Sequence, residues 1–369
     1  MDRRGTIVAA GLGLGVVGSA LLARSRAADL HEQVAVVTGG SRGLGLLLAR
    51  ELAREGCKVV ICARDAAELE RARESLERAV EGAEVLTVVC DVSEQAQVAR
   101  LVAEATARFG RVDILVNNAG IITVGPFQNM TLRDFENSMG IIYWGTVYAT
   151  LAAVPGMLER GAGRIVNITS VGGKVSVPHL LPYTSAKFAA VGFSEGLRAE
   201  LAGTGVSVTT VVPGLMRTGS PLNAFFKGKQ EGEFAWFAAG DSLAFVSMDA
   251  GRAARQIVAA AKRGQAEKTL SLPAILIARF NGLFPGATAN LLGLVTRLIL
   301  PRPDGAETGI ARGMDVHGRM DARLLDAVLT WTLKAAVRNN QHPGPLDASG
   351  QGAEAALSPG VGDAERREE

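Results

Sequence analysis

Six short runs rich in valine and isoleucine recur along this chain, separated by stretches of helical periodicity, and this alternation limits the folds open to it. Val34–Thr38, Lys58–Cys62, Glu84–Val89, Ile114–Asn117, Arg164–Thr169 and Ser207–Val212 have strand length and little polar alternation. That is the pattern of strands covered on both faces. Between them, Gly43–Arg54, Ala66–Val80, Glu94–Phe109, Leu132–Leu158 and Tyr183–Leu201 read as helices. Such repeats connect through right-handed crossovers, so the expected class is α/β, a doubly wound parallel sheet with helices on both sides. Ligands in these sheets bind beyond the carboxyl ends of the strands, so the residues after each strand are the candidates for a site.

Composition excludes several other classes. The chain has 369 residues, 48% of them hydrophobic, which is enough for a large core. A net charge of +2 and 5% aromatic residues give no footprint for a nucleic acid. Cys57, Cys62 and Cys90 are odd in number and form no Cys-x-x-Cys or Cys/His cluster, so neither a disulfide framework nor a metal site is expected. A reducing compartment fits them.

Four strand ends carry cofactor chemistry. Thr38-Gly39-Gly40-Ser41-Arg42-Gly43-Leu44-Gly45 leaves the first strand and opens a helix. Its glycines let the backbone approach a pyrophosphate, and the helix N-terminus supplies N–H groups and a favourable dipole. The second strand ends at Cys62-Ala63-Arg64, where a carboxylate would hold the ribose hydroxyls of NAD. Arg64 and Arg42 instead suit a 2′-phosphate, favouring NADP(H), although Asp65 follows at once. At the third strand end, Asp91-Val92 offers a carboxylate either to an adenine amino group or as a cap for the next helix. The fourth strand runs into Asn117-Asn118-Ala119-Gly120. Upstream, Gly13-Leu14-Gly15-Val16-Val17-Gly18 matches a more familiar glycine fingerprint, but too little chain separates it from the next strand for a crossover helix.

Tyr183 and Lys187 stand on one face of a helix, and Ser170 precedes them at a strand end. A tyrosine titrates near ~10 and needs a neighbouring cation to exchange protons at neutral pH, which Lys187 can supply. Taken in order, Thr38–Gly45, Asp91, Asn117–Gly120, Ser170, Tyr183-x-x-x-Lys187 and Pro213-Gly214 resemble the short-chain dehydrogenase/reductase family over roughly residues 31–262. The resemblance implies a single doubly wound Rossmann domain and hydride transfer between a nicotinamide and an alcohol/carbonyl pair. It implies that Tyr183 is the general acid/base, that Lys187 lowers its pKa and holds the nicotinamide ribose, and that Ser170 polarises the substrate oxygen. Pro213-Gly214 would pass beneath the nicotinamide and Thr218 would reach its carboxamide. It further implies a homodimer or homotetramer packed through Leu132–Leu158 and Tyr183–Leu201.

One position departs from the family. An asparagine that anchors a proton-relay water is replaced by Ile142, and Asn137 lies more than a helical turn away. Two readings follow: an enzyme with slowed or rerouted proton return, or a membrane-associated NADP-binding regulatory or scaffold protein with little turnover. Residues 214–240 are expected to form a lid, whose Phe225, Phe226, Phe234, Trp236 and Phe237 either line a pocket for a hydrophobic carbonyl or alcohol or pack the lid down. His179 is expected at a rim or turn.

Thr6–Ala23 is apolar and flanked by Arg3, Arg4, Arg24 and Arg26. At ~1.5 Å per residue it spans roughly 27 Å, enough for a bilayer core. The expected organisation is therefore an apolar segment at 1–30, a possible anchor to the cytoplasmic face of a membrane; a catalytic domain at 31–272; a helical extension at 273–338; and a disordered tail at 339–369. Without the anchor the protein would be cytoplasmic.

Overall fold

The apolar runs lie side by side as the expected parallel sheet. A computed structural model of the chain describes residues 27–242, 247–303, 309–320 and 334–341. The apolar segment Thr6–Ala23, the Gly13–Gly18 fingerprint and most of the expected tail lie outside the described residues. The strands are β1 (Val34–Thr38), β2 (Lys58–Ala63), β3 (Val85–Val89), β4 (Ile114–Asn117), β5 (Gly163–Ile168), β6 (Val206–Pro213) and β7 (Glu267–Leu270). They lie in the order β7-β6-β5-β4-β1-β2-β3. The winding reverses between β1 and β4, which opens a crevice at their carboxyl ends.

Helices α1 (Gly43–Arg54) and α2 (Ala66–Ala79) cover one face, packing Leu46, Leu48, Leu69 and Leu76 on Ile61 and Val211. Helices α3 (Gln95–Phe109) and α5 (Gly145–Arg160) cover the other through Val98, Leu101, Ala149 and Met157. β1 is buried along its whole length, which explains its unbroken run of apolar residues and one threonine. β7, Glu-Lys-Thr-Leu, escaped the sequence pattern because it is short and carries charge; it extends the sheet by pairing with Thr210–Pro213.

The helix expected at Leu132–Leu158 is broken in the middle. α4 (Leu132–Ser138) and α5 flank a π-helical turn at Met139–Trp144. Thr146 Oγ1 donates to the Ile142 carbonyl at 2.8 Å, and Gly145 abuts Val92, where a Cβ would lie 3.0 Å from Val92 Cγ2. π turns cluster at functional sites because they re-aim side chains, and this one aims Ile142 inward.

A small three-stranded sheet joins distant segments. Thr123–Val124 pairs with Phe225–Phe226, which pairs in turn with Ala311–Arg312. Around it Val124, Leu180, Phe226, Phe234 and Val316 form a separate apolar cluster, so the aromatic segment after β6 and the C-terminal extension share one core. The apolar stretch after β7 folds as two helices, Leu272–Leu283 and Pro285–Leu298, that leave Leu276, Leu283, Leu291 and Leu298 exposed. In the last part of the expected helical extension, residues 334–338 are described and helical. Residues 339–341, expected to begin a disordered tail, instead have Asn339 and Gln341 buried against the main domain. Their polar composition hid this, because the segment is held by the Asn339 backbone carbonyl and the side chains of Asn340 and Gln341.

Phe226 is fully buried at the centre of the small cluster. Phe226→Ala is expected to lower stability by about 3–5 kcal/mol, read by denaturant unfolding; an effect below about 1 kcal/mol would mean the cluster does not hold the extension to the domain.

Candidate active site

The loop after β1 is shaped by close approaches that exclude side chains. A Cβ on Gly45 would lie 2.1 Å from the Gly39 carbonyl oxygen and 2.5 Å from Asn118 Nδ2. Gly39 has φ +62°, and a Cβ there would meet Ala119 Cα at 3.0 Å. Asn118 Nδ2 donates to the carbonyls of Thr38 (3.0 Å) and Gly39 (3.1 Å), while Thr38 Oγ1 accepts from the amides of Asn118 (2.9 Å) and Ala119 (3.1 Å). The ends of β1 and β4 are thus clasped across the crevice, with the N-terminus of α1 facing into it. This cradle fits a dinucleotide: a backbone bare of side chains beside a helix N-terminus.

At the next strand end, Glu68 organises the charges, a role the sequence did not disclose. It accepts from Ser41 Oγ and lies 2.9 Å from Arg42 Nη1. Asp65 also lines the cavity, but its Oδ1 accepts from the Glu68 amide and caps α2. Arg64 is 65% exposed and sits 3.8 Å from Asp91 Oδ2. Asp91 both lines the cavity and closes the turn after β3, accepting from Ser93 N (3.0 Å) and Oγ (2.7 Å). Thr218 shares a 2.6 Å hydrogen bond with Ser220 and stands on the same cavity wall as Pro213 and Gly214.

Ser170, Tyr183 and Lys187 come together at the far end. α6 (Leu181–Glu200) begins with Pro182 in its first turn, whose fixed φ suits a helix start and sets where Tyr183 emerges. Ser170 Oγ accepts from the Gly172 amide at 3.0 Å. A Cβ on Gly172 would lie 3.2 Å from Tyr183 Cε1 and 3.4 Å from Ser170 Oγ, so both side chains border one small space. Lys187 Nζ donates to the Ile168 carbonyl at 2.8 Å and lies 5.7 Å from the centre of the Tyr183 ring. Burial pushes the Lys187 pKa down to about 8. Ile142 is 2% exposed and packs with Ala186, Ala190 and Tyr183 behind this face of α6.

Every residue expected at the site, from Gly39 to Thr218, lines a single cavity of about 990 Å³. The aromatic residues of the lid divide between the two roles expected of them: Phe225 and Trp236 face the cavity, Phe226 and Phe234 are buried in the small cluster, and Phe237 does both. His179 is buried with φ +61° and holds the lid, its Nδ1 lying 2.9 Å from Glu233 Oε1. Trp236 Nε1 donates to the other oxygen of Glu233 at 2.7 Å, and Lys227 pairs with Asp134 at 2.6 Å. No local spacing links His179 to Glu233, which is why the sequence left both without a role. Arg312 and Gln341, far along the chain, also line the cavity.

Comparison with known proteins agrees with this geometry. A model of the short chain dehydrogenase family matches residues 33–225. A putative ketoacyl reductase of Streptomyces coelicolor is 41% identical over 195 residues, covering 52% of this chain and 73% of its own. The crystal structure of a short-chain dehydrogenase from Streptomyces avermitilis has a TM-score of 0.63 at 29% identity, covering 72% of this chain and 98% of that one. Levodione reductase has a TM-score of 0.56 at 27% identity, covering 65% and 96%.

The Lys187 pKa yields a test. An unfolded chain keeps this lysine charged up to about 10.5, whereas the folded one releases the proton near about 8. Between these values the unfolded state binds more protons, so stability rises with pH there. Measured against Lys187→Met, which cannot titrate, the melting temperature of the wild-type protein is expected to gain across that window. A difference that stays flat with pH would contradict the burial.

Proposed function

The chain belongs to the short-chain dehydrogenase family, and from that premise we propose that it transfers hydride between NADP(H) and a hydrophobic carbonyl or alcohol. The observation that carries this reading is the convergence of Tyr183, Ser170 and Lys187 on the cavity that begins at the glycine cradle. When bound, the nicotinamide supplies or accepts the hydride. Tyr183 gives its phenolic proton to the carbonyl oxygen, and Ser170 donates a hydrogen bond to the same atom. Lys187, with a pKa of about 8, is mostly protonated at neutral pH, and its charge favours the phenolate left behind. Ile142 offers no hydrogen bond, so proton return lacks the asparagine-held water of the family and turnover is expected to be slow.

Arg42 and Arg64 near the second strand end favour NADP over NAD, with Asp65 capping its helix. Phe225, Trp236 and Phe237 favour an apolar substrate and exclude water from the reacting atoms. Exposed Trp144, Leu151 and Phe188 on the helices α5 and α6 and the turn before them suit packing against a second subunit, as a homodimer or homotetramer. The apolar Thr6–Ala23 segment favours attachment to the cytoplasmic face of a membrane.

NADPH oxidation against a panel of hydrophobic aldehydes and ketones is the decisive measurement. Tyr183→Phe is expected to lower kcat/KM by about 10²- to 10⁴-fold with NADPH affinity unchanged. NADPH binding without turnover on any carbonyl, and no effect of Tyr183→Phe, would favour a regulatory or scaffold role instead. Stronger thermal stabilisation by NAD than by NADPH would overturn the cofactor preference. For location, the full chain is expected in the membrane fraction and a chain lacking residues 1–26 in the soluble one; the full chain in the soluble fraction would remove the anchor.

A further inference from the structure

Four cations line the cavity, and three of them are committed. Arg42 is paired with Glu68, Arg64 is largely exposed beside Asp91, and Lys187 is bonded to Ile168. The fourth, Arg312, belongs to the C-terminal extension, where its backbone pairs with Phe225. Its guanidinium donates to Asn223 Oδ1 and, among the described residues, has no carboxylate within 4.0 Å. Burial holds its pKa below the usual arginine value, the nearby Arg42 charge acting in the same direction and the carboxylates of Glu68 and Asp315 opposing it. Glu68 and Asp315 act on it only from a distance, so a half-buried guanidinium here lacks a direct ionic contact that an anion in the cavity would supply.

The neighbourhood is built to hold this side chain. Asn223 Nδ2 donates to the carbonyls of Gly219 (2.9 Å) and Gln341 (3.2 Å), which turns its Oδ1 toward Arg312. Gln341 Oε1 accepts from the Gly219 amide at 2.7 Å. Asn340 Nδ2 donates to the carbonyls of Ser41 (2.9 Å) and Glu68 (3.1 Å), and the Asn339 carbonyl accepts from the Gly43 amide at 2.9 Å. Residues 339–341 therefore strap the glycine loop to the segment that carries Asn223. The strap also takes the Gly43 N–H, one of the donors a helix N-terminus would offer a phosphate.

We infer that Arg312 binds the diphosphate of the dinucleotide, replacing the donor the strap removes, with Asn223 and residues 339–341 positioning it. This rests on the dinucleotide reading above and adds a residue from outside the segment that matches the family model. A guanidinium fork suits the task, because it meets two phosphate oxygens at once. The diphosphate is common to NADPH and NADH, whereas the 2′-phosphate is not, and this separates Arg312 from Arg42.

The experiment is titration of NADPH and of NADH into the full-length protein, followed by tryptophan fluorescence, for wild type, Arg312→Gln, Arg312→Lys and Arg42→Ala. Arg312→Gln is expected to weaken both dinucleotides by about tenfold, and Arg312→Lys by less. Arg42→Ala is expected to weaken NADPH alone. Unchanged affinity in folded Arg312→Gln, or a loss confined to NADPH, overturns the inference and leaves the dinucleotide reading intact. Should Arg312→Gln not fold, Arg312→Lys decides, since a loss of about threefold or more for both dinucleotides upholds it and none overturns it. Wild-type protein that binds neither dinucleotide overturns both readings together.

Discussion

The clasp between Thr38 and Asn118 is the constraint on which the site depends. A parallel sheet that reverses its winding leaves a gap at the reversal, and nothing in sheet hydrogen bonding fixes its width. Here four hydrogen bonds from two side chains span it, tying the first strand end to the fourth. The glycine loop can then fold onto α1 with no Cβ in the way. Beneath the clasp a buried polar chain continues the tie: Asn117 donates to Asn167 at 2.9 Å, Asn167 to Ser194 at 2.9 Å, and Ser194 shares a 2.7 Å bond with Thr210. Since Ser194 lies on α6, the helix that carries Tyr183 and Lys187 is set in register with the strands that carry the cradle. Buried hydrogen-bonded chains of this kind rigidify the elements they join.

Charge around the cradle follows the same economy. The Arg42–Glu68 pair is partly exposed and worth at most about 1 kcal/mol, so a bound phosphate can draw the guanidinium away at small cost. The Lys227–Asp134 pair is buried, with Thr131 also bonded to the carboxylate, and serves a different end. Removing one partner there would strand a charge away from water, a penalty of several kcal/mol. The first pair suits exchange with a ligand, and the second suits a fixed attachment of the segment after β6 to α4.

Fold class and most of the site were legible in the sequence because both follow from local patterns. Buried parallel strands give unbroken apolar runs, and the cradle and the Tyr183–Lys187 pair are set by spacing along one loop and one helix. What escaped depends on contacts between remote residues. β7 carries charges because it is a short edge strand; Glu68 acquires its meaning only beside Ser41; His179 and Glu233 meet across the lid. The π turn was hidden because Leu132–Leu158 has the composition of one helix, and composition does not report a single widened turn. The strap was hidden because polar, amide-rich sequence reads as solvated chain until the backbone groups it satisfies are known.

That strap closes the longest loop among these contacts, with Asn340 meeting Ser41 across 299 positions. Such a closure forms after the core, because its entropy must be met before its few bonds give a return. It is also held unevenly: the side-chain amide of Asn339 is fully buried, and neither its Nδ2 nor its Oδ1 meets a partner among the described residues. Each such group costs about 1–3 kcal/mol, so the strap sits near the low end of the molecule's local stabilities. Opening it would release the Gly43 amide from the Asn339 carbonyl and leave Asn223 Nδ2 held by Gly219 alone, without breaking a bond of the sheet or of α6. The end of the crevice beside the glycine cradle is thus fastened by a separable piece of chain, whereas the end that holds Tyr183 and Lys187 is built into the sheet and α6.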